Sequence, residues 1–140
     1  MKIPPRERLM FAVDVPTIDE AKAIVTELGD SVVFYKLGLE IFMSGRYDEL
    51  LDWMRAHGKK IFADLKFFDI PQTVASAVRQ LRGRGATFVT VHAGNDAILQ
   101  AAVEAADGQP GEPLGILAVT ILTSFSQADV AAMGSAGDVS

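Results

Sequence analysis

Ile61-Phe62-Ala63-Asp64-Leu65-Lys66-Phe67-Phe68-Asp69-Ile70-Pro71-Gln72-Thr73 opens as a short apolar run and closes on a proline-led helix start. Ile61–Leu65 has no interior proline and reads as a strand buried on both faces of a parallel sheet. Pro71 suits the first turn of a helix, whose buried stripe is expected at Val74, Ala77, Val78 and Leu81. The stretch is therefore one strand–turn–helix unit with charges at the turn. Side chains two apart on a strand point the same way, so Asp64 and Lys66 are expected to project together, with Asp69 following where the chain turns. Opposite charges this close hold one another ionised. A lysine kept as ammonium between carboxylates can deliver a proton to a carbanion. The same spacing also fits a structural ion pair at the rim of a barrel.

The same unit recurs on either side. The apolar runs Leu9–Val13, Val32–Leu37, Thr87–Val91 and Leu114–Ile121 resemble Ile61–Leu65 and predict four more strands. Thr17-Ile18-Asp19-Glu20 is a capping box ahead of Ala21, Ile24, Val25 and Leu28, and Gly29 ends that helix. Tyr47, Leu50, Leu51 and Met54 mark another helix that stops near Gly58. Ile98, Ala101, Ala102 and Ala105 mark the next, Gly108–Pro113 is a turn-rich connection, and Ser126 caps a last helix through Val130 and Met133. Strands begin at intervals of about 26 residues, the length of one βα unit. Such repeats give a doubly wound sheet or a (β/α)₈ barrel, and eight units need roughly 200–250 residues. The chain holds about five units and then the small polar stretch Gly134–Ser140, so residues 1–140 are expected to be the N-terminal part of one domain, with the C-terminal units absent.

Polar residues fall at the ends of all these strands: Asp14, Lys36, Asp64 with Lys66, His92, then Thr120 and Thr123. In βα barrels the carboxyl ends of the strands carry the active site, because loops converge there on a rigid floor. One charge after an apolar run means little; five strands in succession point to a site. His92 is read as a hydrogen-bonded rim histidine without a chemical role.

Composition narrows the chemistry. The chain has 140 residues, 49% hydrophobic and 22% charged, with net charge −5 and no cysteine. Nothing suggests a nucleic-acid or membrane surface, so a phosphorylated ligand would need local positive charge. Without cysteine there are no disulfides, thiolate nucleophiles or thiolate-bound metals. His57 and His92 form no ligand-spaced pair, so no metal site is expected, and no glycine-rich phosphate loop is present. Met1–Arg8 is polar, and the following apolar run is too short for a signal-peptide core or a membrane span, which makes the cytoplasm the expected location.

Asp64-x-Lys66-x-x-Asp69-Ile70-Pro71-x-Thr73 resembles the signature of the orotidine 5′-phosphate decarboxylases. Phe11-Ala12-Val13-Asp14, Tyr35-Lys36-Leu37-Gly38-Leu39-Glu40, Val91-His92-Ala93 and Ala118-Val119-Thr120-Ile121-Leu122-Thr123-Ser124 resemble the family's other strands, in order, from about residue 8 to 125. Phe68 departs from the family, many of whose members carry histidine there.

The resemblance implies a TIM (β/α)₈ barrel, of which about the first five units are here. It also implies conversion of orotidine 5′-monophosphate (OMP) to UMP and carbon dioxide in pyrimidine biosynthesis, without a cofactor, in a homodimer. Lys66 matches the lysine that protonates carbon 6 of the pyrimidine. Asp64 matches the carboxylate beside the substrate carboxylate, and Lys36 the lysine that completes the charge network and contacts the ribose. Asp14 matches a ribose contact and Thr123 a pyrimidine contact. Asp69 and Thr73 match residues that enter the partner subunit's site, and Ile70 belongs to the same substrate-binding segment.

Two other readings stay open. One is a magnesium-dependent sugar-phosphate decarboxylase or aldolase of the same superfamily, against which Ile70-Pro71-x-Thr73 and Lys36 weigh. The other is a non-catalytic fragment, since a chain ending at Ser140 is expected to lack activity.

Overall fold

The computed structural model describes residues 3–107 and 114–134. The expected connection at residues 108–113 and the polar stretch 135–140 lie outside the described residues. In chain order the elements are β1 (Met10–Val13), α1 (Ile18–Leu28), β2 (Phe34–Leu37), α2 (Leu39–Phe42), α3 (Tyr47–Ala56), β3 (Lys60–Phe67), α4 (Pro71–Gly83), β4 (Phe88–His92), α5 (Asp96–Asp107), β5 (Gly115–Val119) and α6 (Gln127–Ala132). The five strands form one parallel sheet in the order β1-β2-β3-β4-β5. Every crossover therefore moves to the next position in the same direction. A doubly wound sheet would reverse direction, so this is the strand order of a (β/α)₈ barrel.

The elements form where the pattern of the chain places them. Thr17 caps α1 by accepting from the Glu20 amide at 3.3 Å, and its hydroxyl donates to the Glu20 carboxylate at 3.0 Å. Pro71 leads α4, and Ser126 caps α6 in a full capping box with Asp129. Several limits shift. Leu9 is exposed outside β1, Val32 precedes β2, β3 runs on through Lys66 to Phe67, and β5 is shorter than Leu114–Ile121. In α4 the buried position is Ala75 rather than Ala77, and Ala106 joins the stripe of α5, where Ala101 is half-buried. Met133 is exposed at the end of α6. The short α2 was not expected: four residues are too few to show a helical period.

The two faces of the sheet are lined differently. Val13, Tyr35, Leu37, Ile61, Ala63, Val89 and Val91 face the helices and are essentially sealed, each burial contributing roughly 1.5–3 kcal/mol for a large side chain. The alternate positions face the concave side. There Phe34 stacks on Phe88 with ring centroids 5.7 Å apart, and Phe62 meets Phe88 edge-on at 6.4 Å. Gly115 is the register partner of Phe88, and a Cβ on it would come within 2.4 Å of that ring. The concave side thus has an aromatic floor at the amino ends of the strands, which glycine at the start of β5 leaves room for. The polar residues sit on the next layer toward the carboxyl ends.

Candidate active site

Lys36 is the register partner of Phe62, so Asp64 lies one step further along the same concave row. Lys36 Nζ is 3.7 Å from Asp64 Oδ2 and 3.5 Å from Asp14 Oδ1. Lys66 Nζ donates to Asp64 Oδ1 at 2.8 Å. Three strands therefore bring four side chains into an alternating row, Asp14–Lys36–Asp64–Lys66. Asp64 is the most enclosed member, its side chain 14% exposed against 35% for Lys66 and 62% for Asp14. Burial pushes the Asp64 carboxyl up. The hydrogen bonds from Lys66 and Thr90 and the charges of Lys66 and Lys36 together outweigh it, and the carboxyl sits below its ordinary value. It is therefore an anion at neutral pH, fixed between two ammonium groups.

The backbone that presents Lys66 is unusual. The pairing of β3 with β4 shifts register between Ala63 and Phe67, a bulge of the kind that re-aims side chains at barrel rims. Within it Lys66 has φ +48°, the only positive φ outside glycine among the described residues. Left-handed backbone costs a residue with a Cβ roughly 1–2 kcal/mol. Asp64 and Lys66 thus meet as expected, through a bulge rather than through the plain alternation of a straight strand.

Thr90, in the middle of β4, is the one buried polar side chain among the described residues, and sequence reasoning passed over it. Its oxygen accepts from the Lys66 amide at 2.9 Å, and its hydroxyl donates to Asp64 Oδ1 at 3.0 Å. The available signal was a hydroxyl inside the apolar run Phe88-Val89-Thr90-Val91, two positions before His92 and so on the same face.

The other expected residues stand outside this row. Asp69 is exposed, and its carboxylate accepts from the Ile70 amide at 2.7 Å; among the described residues it makes no ion pair with Lys66. Ile70 caps α4 and is exposed, as is Thr73 in its first turn. Thr123 lies in the turn after β5, exposed and without a bond to the row. Phe68 is exposed on one side, but its ring meets His92 edge-on at 5.6 Å and lies close over Gly94. His92 ends β4 in that aromatic contact, rather than in a hydrogen bond as expected of a rim histidine. Among the described residues no three metal-ligating side chains gather, and no helix is long and apolar enough to cross a membrane.

The profile of the Orotidine 5'-phosphate decarboxylase / HUMPS family matches residues 7–139. This chain belongs to that family. It is 53% identical over 137 residues to an orotidine 5'-phosphate decarboxylase of Methylococcus capsulatus, covering 98% of this chain and 54% of that protein. It is 50% identical over 128 residues to one of Xanthomonas oryzae pv. oryzae, covering 91% of this chain and 51% of that protein. Among solved structures, the orotidine 5'-phosphate decarboxylase from Lactobacillus acidophilus superposes with a TM-score of 0.80 at 34% identity, covering 90% of this chain and 58% of that one. The chain spans about half the length of the curated relatives it matches. The family likeness and the sequential strand order agree that these are five βα units of a TIM-barrel fold.

Proposed function

We propose that the protein carrying this chain decarboxylates OMP to UMP, with Lys66 as proton donor. The observation that carries the reading is the alternating row Asp14–Lys36–Asp64–Lys66 at the carboxyl ends of the strands, in a chain of this family. Loss of carbon dioxide from carbon 6 of the pyrimidine leaves a vinyl carbanion with no adjacent carbonyl to take up the charge. An ammonium already held at that place stabilises the carbanion electrostatically and then protonates it, and no cofactor is needed. Asp64 fixes Lys66 through the 2.8 Å hydrogen bond and faces the departing carboxylate. Lys36 bridges Asp64 to Asp14 and is placed to donate to a ribose hydroxyl. Enzymes lower barriers by roughly 8–23 kcal/mol, and this reaction calls on the upper end, drawn in large part from binding the remote phosphate and ribose.

The exposed segment after β3 fits a role across a subunit interface. Asp69 stands between Phe68 and Ile70, which are 67% and 66% exposed, and contiguous exposed apolar surface is what an interaction site presents. In this reading Asp69, Ile70 and Thr73 enter the site of the second subunit of a homodimer, and Thr123 meets the pyrimidine. The cytoplasm, where pyrimidine synthesis takes place, is the proposed location. In βα barrels the phosphate is commonly held by loops after strands seven and eight.

The test is release of carbon dioxide from OMP by the protein carrying this chain at the length of its relatives, with and without a metal chelator. Release that survives chelation supports the reading. No release from OMP, or release that depends on magnesium, overturns it in favour of sugar-phosphate chemistry.

A further inference from the structure

We propose that Thr90 is a positioning residue for the Lys66 ammonium, acting through the Lys66 backbone and through Asp64 at once; this rests on the function proposed above. The Thr90 oxygen accepts from the Lys66 amide at 2.9 Å while its hydroxyl donates to Asp64 Oδ1 at 3.0 Å, and Lys66 Nζ donates to that same Oδ1 at 2.8 Å. The three bonds close a ring from the Lys66 backbone, through Thr90 and Asp64, to the end of the Lys66 side chain. A hydroxyl is the smallest group that accepts and donates at the same time, which is what the ring demands at this point.

The ring meets a need of the backbone. Lys66 has φ +48° inside the register shift between β3 and β4, so the ladder that would hold a straight strand is interrupted where the chemistry is. Its amide is satisfied instead by a side chain on the neighbouring strand. Thr90 is 5% exposed, so no water substitutes for it freely. Its hydroxyl also fixes which Asp64 oxygen faces Lys66, leaving Oδ2 toward Lys36 at 3.7 Å. A site that works by a preplaced charge loses rate when that charge wanders, even if the substrate still binds.

The experiment compares parent, Thr90→Val and Thr90→Ser in the protein carrying this chain at the length of its relatives. Steady-state decarboxylation of OMP is measured together with hydrogen exchange at the Lys66 amide. Thr90→Val is expected to lower kcat at least tenfold with KM within about threefold of the parent, and to speed exchange at Lys66. Thr90→Ser, which keeps the hydroxyl, is expected to restore both. Should Thr90→Val not fold, Thr90→Ala against Thr90→Ser carries the same comparison. An active parent with kcat unchanged in Thr90→Val, or with Ser no better than Val, overturns the positioning role alone. A parent that releases no carbon dioxide from OMP overturns the proposed function, and with it any role for Thr90 in that reaction.

Discussion

Lys36 on β2 points its ammonium at Asp64 on β3, with Nζ 3.7 Å from Oδ2, while its other side lies 3.5 Å from Asp14. This single lysine joins three strands electrostatically at the layer above the aromatic floor. Removing it leaves Asp14 and Asp64 facing each other across the gap. Lys36→Ala is expected to lower kcat/KM by roughly a hundredfold, the scale of a lost charged contact in a shielded site. Lys36→Arg should recover little, because a planar fork does not reproduce a point charge between two carboxylates. Steady-state kinetics on OMP checks both, and an arginine variant equal to the parent would show that the geometry of the ammonium is unimportant.

Asp69 lies outside the charged row of its own chain, held by the Ile70 amide at 2.7 Å. If it serves the second subunit, two inactive variants should rescue one another. Mixing Lys66→Ala with Asp69→Ala should produce mixed dimers with one complete site each and measurable decarboxylation. Subunit exchange demonstrated by mass, with no activity regained, would refute the shared site.

How much of this was legible in the sequence depends on which physical signal each feature leaves. Apolar runs ending in Asp14, Lys36, Asp64 and His92 announce strands and a polar rim, because alternation and burial leave their mark residue by residue. The meeting of Asp64 and Lys66 was legible from their spacing, whereas the joining of Lys36 to that pair came only from the family resemblance. The left-handed backbone at Lys66 left no mark, since the usual signal for it is glycine and this position needs its side chain. Thr90 was hidden for a related reason: a β-branched residue in a strand looks like ordinary propensity until its partners on β3 are seen. The aromatic floor was hidden too. Phe34, Phe62 and Phe88 belong to separate strands, and only the register brings them over Gly115.

That floor makes a stability prediction. Phe88 is held between Phe34 and Phe62, so its ring cannot swing away from a new methyl group. Gly115→Ala should cost about 1–3 kcal/mol of folding stability, the usual cost of overpacking, with little effect on the charged row. Urea unfolding reads this as a lower midpoint at unchanged slope, and an unchanged midpoint would mean that the floor yields easily.

Glu49 gives a pH prediction away from the site. Hydrogen bonds from Arg46 at 2.7 Å and Lys22 at 2.7 Å, with the charges of the same two groups, hold its carboxyl at about 2. A carboxyl whose folded value lies below its unfolded value of about 4.3 contributes stability above that value and loses it as pH falls toward the folded one. Glu49→Gln should therefore be less stable than the parent at pH 7 and draw level with it between about pH 4.3 and pH 2, the unfolded and folded values. Urea midpoints at pH 7 and pH 3 measure the gap, and a gap that widens at the lower pH would contradict the ion-pair account.

The most direct test of the central claim is turnover by Lys66→Ala. Its hydrogen bond to Asp64 makes Lys66 the one ammonium on β3 available at the end of the charged row. Decarboxylation of OMP should fall by roughly 10²–10⁴-fold or more, the range for losing a proton donor that also stabilises the carbanion, while the thermal unfolding midpoint stays close to the parent's. A Lys66→Ala protein that turns over within about tenfold of the parent would remove Lys66 from the proton-donor role and contradict the account.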